Sequence, residues 1–261
     1  MELGLNGKTV VVTGGSKGIG KDVARGFHSE GCTVHLVSRS PENLESAAAE
    51  IGGDDRSRVF LHAKDISRSQ SVGELLAAVG TPDILVNNAG AIPGGDLHSV
   101  DEARWREAWD LKVFGYINMT RAFLEAMEKR GSGVIINVTG LAADRNDVNY
   151  VAGTTGNAGL NAFTRAVGGR SLSRGIRVLA VSPGPVATER MVTLMQARAQ
   201  AEFGDAERWQ SYLSGLPGNR AAAVEEVANV VVFMASDRAS FVSGTVVTVD
   251  GGHGANQSSI S

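Results

Sequence analysis

Residues 8–20, Lys-Thr-Val-Val-Val-Thr-Gly-Gly-Ser-Lys-Gly-Ile-Gly, constrain this chain more than any other stretch. The β-branched run at 9–12 reads as a buried parallel strand. It breaks into a glycine-rich turn, and over 19–27 the apolar spacing becomes helical. Strand, glycine turn and helix in that order build a site for a dinucleotide pyrophosphate. Gly14 takes the sharp turn, Gly18 and Gly20 let backbone and phosphate approach, and the free N–H groups of the new helix face the anion. The spacing is Gly-x-x-x-Gly-x-Gly, which departs from the Gly-x-Gly-x-x-Gly of the standard fingerprint. Taken alone, the cluster is also compatible with a plain strand-to-helix turn.

The remaining chain repeats the alternation. Apolar strands are expected at 33–38, 59–63, 83–86, 133–138, 176–181 and 245–249. Between them the spacing predicts helices over 41–51, 69–79, 100–130, 150–173 and 224–235, with a helical insertion over 189–213. Strands alternating with helices give a Rossmann-type, doubly wound α/β fold with a seven-stranded parallel sheet, and ligands belong at the carboxyl ends of its strands. No repeat or linker divides the 261 residues, so one domain over 1–261 is expected.

Composition excludes several function classes. A net charge of −3, with no basic run, gives nucleic acid no footprint. The five histidines are scattered without metal-ligand spacing, so no metal is expected. One cysteine, Cys32, rules out an intrachain disulfide framework and suits a reducing cytoplasm. No apolar run reaches the length of a membrane span.

With these pieces in order, the chain resembles the short-chain dehydrogenase/reductase family. Thr13-Gly14-x-x-x-Gly18-Ile19-Gly20 is similar to that family's cofactor motif, and Asn87-Asn88-Ala89-Gly90 to its strand-four motif. Asp65 stands where the family's adenine-contacting acid does. Pro183-Gly184-Pro185-Val186-Ala187-Thr188 is similar to the nicotinamide-side loop, and 244–252 to the closing strand. The resemblance implies a nicotinamide cofactor held by Gly14, Ser16, Lys17, Gly18, Ile19, Gly20, Ser38, Arg39, Asp65, Ile66, Asn88, Ala89, Gly90, Pro183, Gly184, Val186 and Thr188.

An acid closing the second strand would bind ribose hydroxyls and repel a 2′-phosphate. Here Ser38 takes that place, Arg39 follows, and Lys17 adds a cation in the glycine loop. A guanidinium grips phosphate with two parallel bonds. NADP(H) is therefore expected ahead of NAD(H).

The chemical end departs from the family. The resemblance implies a tyrosine acid/base, a lysine four residues later that lowers its pKa, a serine that polarises the substrate oxygen, and an asparagine in the long central helix. Tyr150 takes the tyrosine position, but Thr154 stands where lysine is expected. Gly140 takes the serine place with Thr139 before it, and Lys112 falls on the asparagine. The Gly140–Tyr150 interval is about a turn shorter than usual. An unassisted phenol near pKa 10 is a poor base at neutral pH. The expected set is Tyr150 as acid/base, Lys112 as a relocated cation, and Thr139 or Asn157 as hydrogen-bonding partner of the substrate oxygen. A nucleotide-binding protein without redox turnover, or a non-redox lyase or hydratase on the same fold, remains the alternative.

An apolar stripe in residues 188–216 (Met191, Leu194, Met195, Phe203, Trp209, Tyr212, Leu213, Leu216) resembles the family's substrate lid and favours a bulky or apolar small molecule. The loop 144–147 beside Tyr150 is a second candidate for substrate contact. Trp105, Met119, Phe123 and Phe163 are expected to be exposed on helices that pair between subunits in the family, which implies a homotetramer, or else a homodimer.

Overall fold

The computed structural model describes residues 1–256, so the last five residues of the expected 1–261 domain lie outside the described residues. Strand β1 (Thr9–Thr13) leads into α1 (Gly18–Ser29), then β2 (Thr33–Ser38), α2 (Pro41–Gly52), β3 (Val59–Ala63), α3 (Ser69–Val79) and β4 (Ile84–Asn87). Next come α4 (Glu102–Trp109), a π-helical turn (Asp110–Phe114) and α5 (Gly115–Arg130). Then follow β5 (Gly133–Val138), α6 (Val151–Ser171), β6 (Ile176–Pro183), α7 (Glu189–Phe203), α8 (Val224–Ala235) and β7 (Val246–Val249).

The strands form one parallel sheet in the order β3-β2-β1-β4-β5-β6-β7. Strand order reverses between β1 and β4, where Val10 pairs with Val34 on one side and Ile84 on the other. Chains leaving the carboxyl ends of β1 and β4 wind in opposite directions, and a crevice opens between them.

Alternation along the strands sets the two cores. Val10, Val12, Leu36, Val86 and Val181 pack under α1, α2 and α8 with Phe27, Leu44 and Val231. Val11, Val37, Leu85, Ile135 and Val178 face the other way, onto Val72 and Leu75 of α3 and Met119, Phe123 and Met127 of α5. In α1 the buried positions Gly20, Val23, Ala24 and Phe27 keep the three-and-four spacing of one helix face. Each fully buried Leu or Phe contributes about 1.5–3 kcal/mol. Between β4, β5 and the helices runs a buried polar link. Asn87 Nδ2 donates to Asn137 Oδ1 (2.9 Å) and Thr120 Oγ1 (3.2 Å), and Asn137 Nδ2 donates to Thr164 Oγ1 (2.9 Å).

Two expectations are corrected. The helix expected over 100–130 is interrupted by the π-helical turn at 110–114, a wide turn that re-aims the side chains within it. Met119 and Phe123 are fully buried, because they lie on the α5 face pressed against the sheet. The large apolar side chains that do reach solvent beside α4 are Leu97 (63% exposed) and Phe114 (49%). Among the described residues no helix is long and apolar enough to cross a membrane.

Candidate active site

Close backbone packing shapes the β1–α1 turn. Gly14 has φ +66°, and a β-carbon on it would stand 2.9 Å from Ala89 Cα and from Asn88 Nδ2. One on Gly20 would fall 2.2 Å from the Gly14 carbonyl oxygen. Neither position admits a side chain. Thr13 Oγ1 ties this turn to the end of β4 by accepting from the Asn88 and Ala89 N–H groups (2.9 and 3.1 Å). Asn88 Nδ2 in turn donates to Thr13 O (3.1 Å). Lys17 caps α1 with extended backbone and no side-chain cap bond, leaving the first N–H groups of the helix available to an anion.

A cleft of about 490 Å³ runs from this turn along the carboxyl ends of the strands. Gly14, Ser16, Lys17, Gly18, Ile19, Ser38, Arg39, Ile66, Asn88, Ala89, Gly90, Pro183 and Thr188 all line it. Four other residues expected at the cofactor do not. Gly20 packs beneath Gly14, Gly184 against Asp250, and Val186 is buried. The Asp65 carboxylate accepts from the Ser67 N–H (3.1 Å) and hydroxyl (2.8 Å), which ties it into its own turn. Asn43, Lys64, Leu111, Glu189 and Arg190 join the lining without having been expected. Ser16 Oγ donates to Ser38 Oγ (3.0 Å), so the β2 end offers two hydroxyls in place of a carboxylate. Lys17, Arg39 and Lys64 stand together there. Lys64 is paired with Glu74, while Lys17 and Arg39 have no ion pair among the described residues.

At the other end of the cleft, the π-helical turn carries Lys112 over Gly90. A β-carbon on Gly90 would lie 2.6 Å from Lys112 Cδ, so the bare glycine gives the lysine stem its path. Lys112 Nζ donates to the carbonyl oxygens of Thr139 (3.3 Å) and Val138 (3.4 Å) and stands 5.7 Å from the Tyr116 ring centroid. The stem borders the cleft while the ammonium is tucked beneath β5. Burial brings the Lys112 pKa down to about 8.

Thr139 Oγ1 and Asn157 Oδ1 are buried with no hydrogen-bond partner among the described residues. Unpaired buried polar atoms are costly and uncommon; Thr139 lines the cleft, whereas Asn157 is not part of its lining. Asn157 Nδ2 is held by Gly153 O (2.8 Å), which leaves its carbonyl oxygen free. Gly140 flanks this amide, with its β-carbon position 3.5 Å away.

Tyr150 caps α6, and its side chain packs against the cluster of Ile92, Ala108 and Ala152, as do Trp105 and Trp109. It is not on the cleft wall described above. Burial pushes its phenol up, and the Arg190 guanidinium works against that rise. Arg190 itself is exposed on the first turn of α7. Thr154 Oγ1 donates to Arg145 O (3.4 Å) and does not line the cleft. In the 144–147 loop, Arg145 contacts the His253 ring.

Three comparisons with known proteins bear on this arrangement. A family model described as enoyl-(acyl carrier protein) reductase matches residues 14–254. Galactitol 2-dehydrogenase (L-tagatose-forming) of Cereibacter sphaeroides is 32% identical over 251 residues, covering 95% of this chain and 96% of the relative. L-sorbose reductase of Gluconobacter frateurii, solved with NADPH and L-sorbose, superposes with a TM-score of 0.91 at 30% identity, covering 98% of this chain and 100% of that one. A 7α-hydroxysteroid dehydrogenase solved with NADH and 7-oxo glycochenodeoxycholic acid gives 0.84 at 28% identity, with 96% of each chain covered. The chain thus belongs to the short-chain dehydrogenase/reductase family, oxidoreductases of CH–OH and C=O groups.

Proposed function

We propose that this protein interconverts a carbonyl and an alcohol with NADP(H), using Tyr150 as acid/base. The observation that carries the reading is the unpartnered Thr139 hydroxyl on the cleft wall, with the Lys112 stem beside it and the Lys112 ammonium bonded to the Thr139 and Val138 carbonyls. A dinucleotide fits the residues present. The glycines let the β1–α1 turn pack directly on the end of β4, which brings the open start of α1 to the cleft, and Lys17 and Arg39 line it with Ser16 and Ser38. Where an acid would repel a 2′-phosphate, two cations attract it, which favours NADP(H) over NAD(H).

When bound, the nicotinamide supplies or accepts the hydride. The chain's own residues manage the proton. In reduction Tyr150 Oη gives its proton to the substrate oxygen, and in oxidation it takes one back. Lys112 Nζ, bonded to the Val138 and Thr139 carbonyls, fixes the chain beside the Thr139 hydroxyl, while the positive charge that favours the Tyr150 phenolate is that of Arg190. Thr139 Oγ1 and Asn157 orient the substrate oxygen through the hydrogen-bonding capacity the fold leaves unused.

The apolar side of α7 and the segment after it, with Leu194 60% exposed, supports a bulky or apolar substrate under the 188–216 lid. Leu97 and Phe114, with Trp105 and Trp109, line an apolar hollow of about 430 Å³ beside α4, which supports pairing of subunits as a homotetramer or homodimer. A cytoplasmic setting agrees with the single reduced cysteine. The test is a screen of ketones and aldehydes followed by NADPH absorbance. Carbonyl-dependent NADPH oxidation is expected. Tight NADPH binding without turnover on any carbonyl would contradict the reading and leave a nucleotide-binding or non-redox role.

A further inference from the structure

We propose that Gly153 is a positioning residue, whose missing side chain is the seat that fixes the Tyr150 ring over the first turn of α6. A β-carbon on Gly153 would stand 2.0 Å from Tyr150 Cε1 and 2.1 Å from Cζ. The ring therefore occupies the volume in which any side chain at 153 would begin. Real β-carbons do not approach so closely, and the atoms met belong to a rigid ring with only two rotatable bonds. Any substitution at Gly153 must swing the phenol elsewhere.

The helix gives up stability to keep this glycine, since glycine inside a helix is less favourable than alanine. Not every glycine of α6 has such a reason. Gly159, two turns on, meets nothing within 4 Å. Gly156 faces Trp109, Val113 and Ile92 at 3.2–3.3 Å, a tolerable approach that continues the same seam. Trp109 Nε1 donates to Ala152 O (3.1 Å) and joins Tyr150 on the cluster of Ile92, Ala108 and Ala152. The ring thus lies on the bare turn of α6, within the apolar cluster of Ile92, Ala108 and Ala152. The Gly153 carbonyl also holds Asn157 Nδ2, so the residue that seats the phenol orients the neighbouring amide. The meaning of this seat for catalysis rests on Tyr150 being the acid/base, and the experiment separates the two.

The test is a double-mutant cycle read by thermal unfolding of the full chain. Gly153→Ala is expected to lower Tm in the wild-type background and to raise it in the Tyr150→Ala background, where it should behave like the control Gly159→Ala. If Gly153→Ala alone does not fold, recovery of folding in Tyr150→Ala/Gly153→Ala carries the same information. Equal effects in both backgrounds would overturn the seat. A second readout is the alkaline phenol titration attributable to Tyr150, obtained by difference from Tyr150→Phe. In Gly153→Ala it should fall toward the ordinary phenol value of about 10 as the ring becomes hydrated. An unchanged titration would also overturn the seat. Finally, with a carbonyl that the wild type reduces, Gly153→Ala should lower kcat on the order of a hundredfold with the NADPH Kd unchanged. Unchanged kcat with a displaced phenol would remove Tyr150 from the acid/base role and leave the seat standing.

Discussion

The two ends of the cleft are built by different means. At the phosphate end, from Gly14 to Arg39, the geometry is backbone geometry. Glycines that admit no β-carbon, a helix start and two strand ends place every group within short stretches of chain. At the end proposed for the chemistry, Lys112 and Thr139 line the cleft while Tyr150 and Asn157 lie off its lining, and three of these side chains depend on a neighbour being small. Lys112 crosses Gly90, Tyr150 lies on Gly153, and Asn157 faces Gly140. Binding and the proposed chemistry should therefore be separable by mutation.

The largest separation is expected for Tyr150→Phe. It should cut turnover by roughly 10²–10⁴-fold, the usual scale for a positioned acid/base, while the NADPH Kd and Tm hold. Stopped-flow binding beside steady-state assays would check it, and a parallel loss of NADPH affinity would break the distinction between the ends.

Lys112→Met should act next most strongly, with turnover down on the order of 10²-fold and cofactor affinity little changed. It should also stabilise the protein at neutral pH. The folded pKa of Lys112, about 8, lies below the ordinary 10.5, so between these values the unfolded chain binds the extra proton. Stability of the wild type therefore rises with pH across about 8 to 10.5 and is penalised below it, by up to about 3 kcal/mol less the hydration regained through the open side of the cleft. Tm of Lys112→Met should exceed that of the wild type at pH 7, and the gap should close by pH 10. A constant gap would show that Lys112 is not held neutral-leaning by burial.

Arg39→Ala probes the phosphate end. It should weaken NADPH by about tenfold, leave NADH unchanged and spare kcat, the scale of one charge-assisted bond. Loss of both cofactors equally would dissolve the proposed reading of the 2′-phosphate. The smallest effect is expected for Gly159→Ala, a gain of up to about 1 kcal/mol in thermal or urea unfolding, because nothing opposes the new methyl group.

The same contrast explains how much the sequence disclosed. Strands at 33–38, 59–63 and 133–138 appear with the expected bounds, because β-branched runs between turn residues are local signals. The glycine turn was legible for the same reason. Lys64 and Arg190 were not, because whether a side chain at a strand or helix end faces the crevice depends on the packing of other elements. Asp65 shows the converse: its place was legible, but the pairing of its carboxylate with Ser67 was not. The π-helical turn left no trace in the apolar spacing of 100–130, although it directs Lys112. Met119 and Phe123 misled because an amphipathic stripe does not state whether it meets a sheet or a second subunit.

The central claim is hydride chemistry with Tyr150 as the acid/base. Its most direct test is to supply NADPH deuterated at the transferring position with a panel of aliphatic, aromatic and steroid ketones and to examine the alcohols by mass spectrometry. The account predicts deuterium on the carbinol carbon of at least one product with the wild type, and none with Tyr150→Phe at equal NADPH occupancy. Saturating NADPH with no deuterated alcohol from the wild type, or equal labelling by Tyr150→Phe, would contradict it.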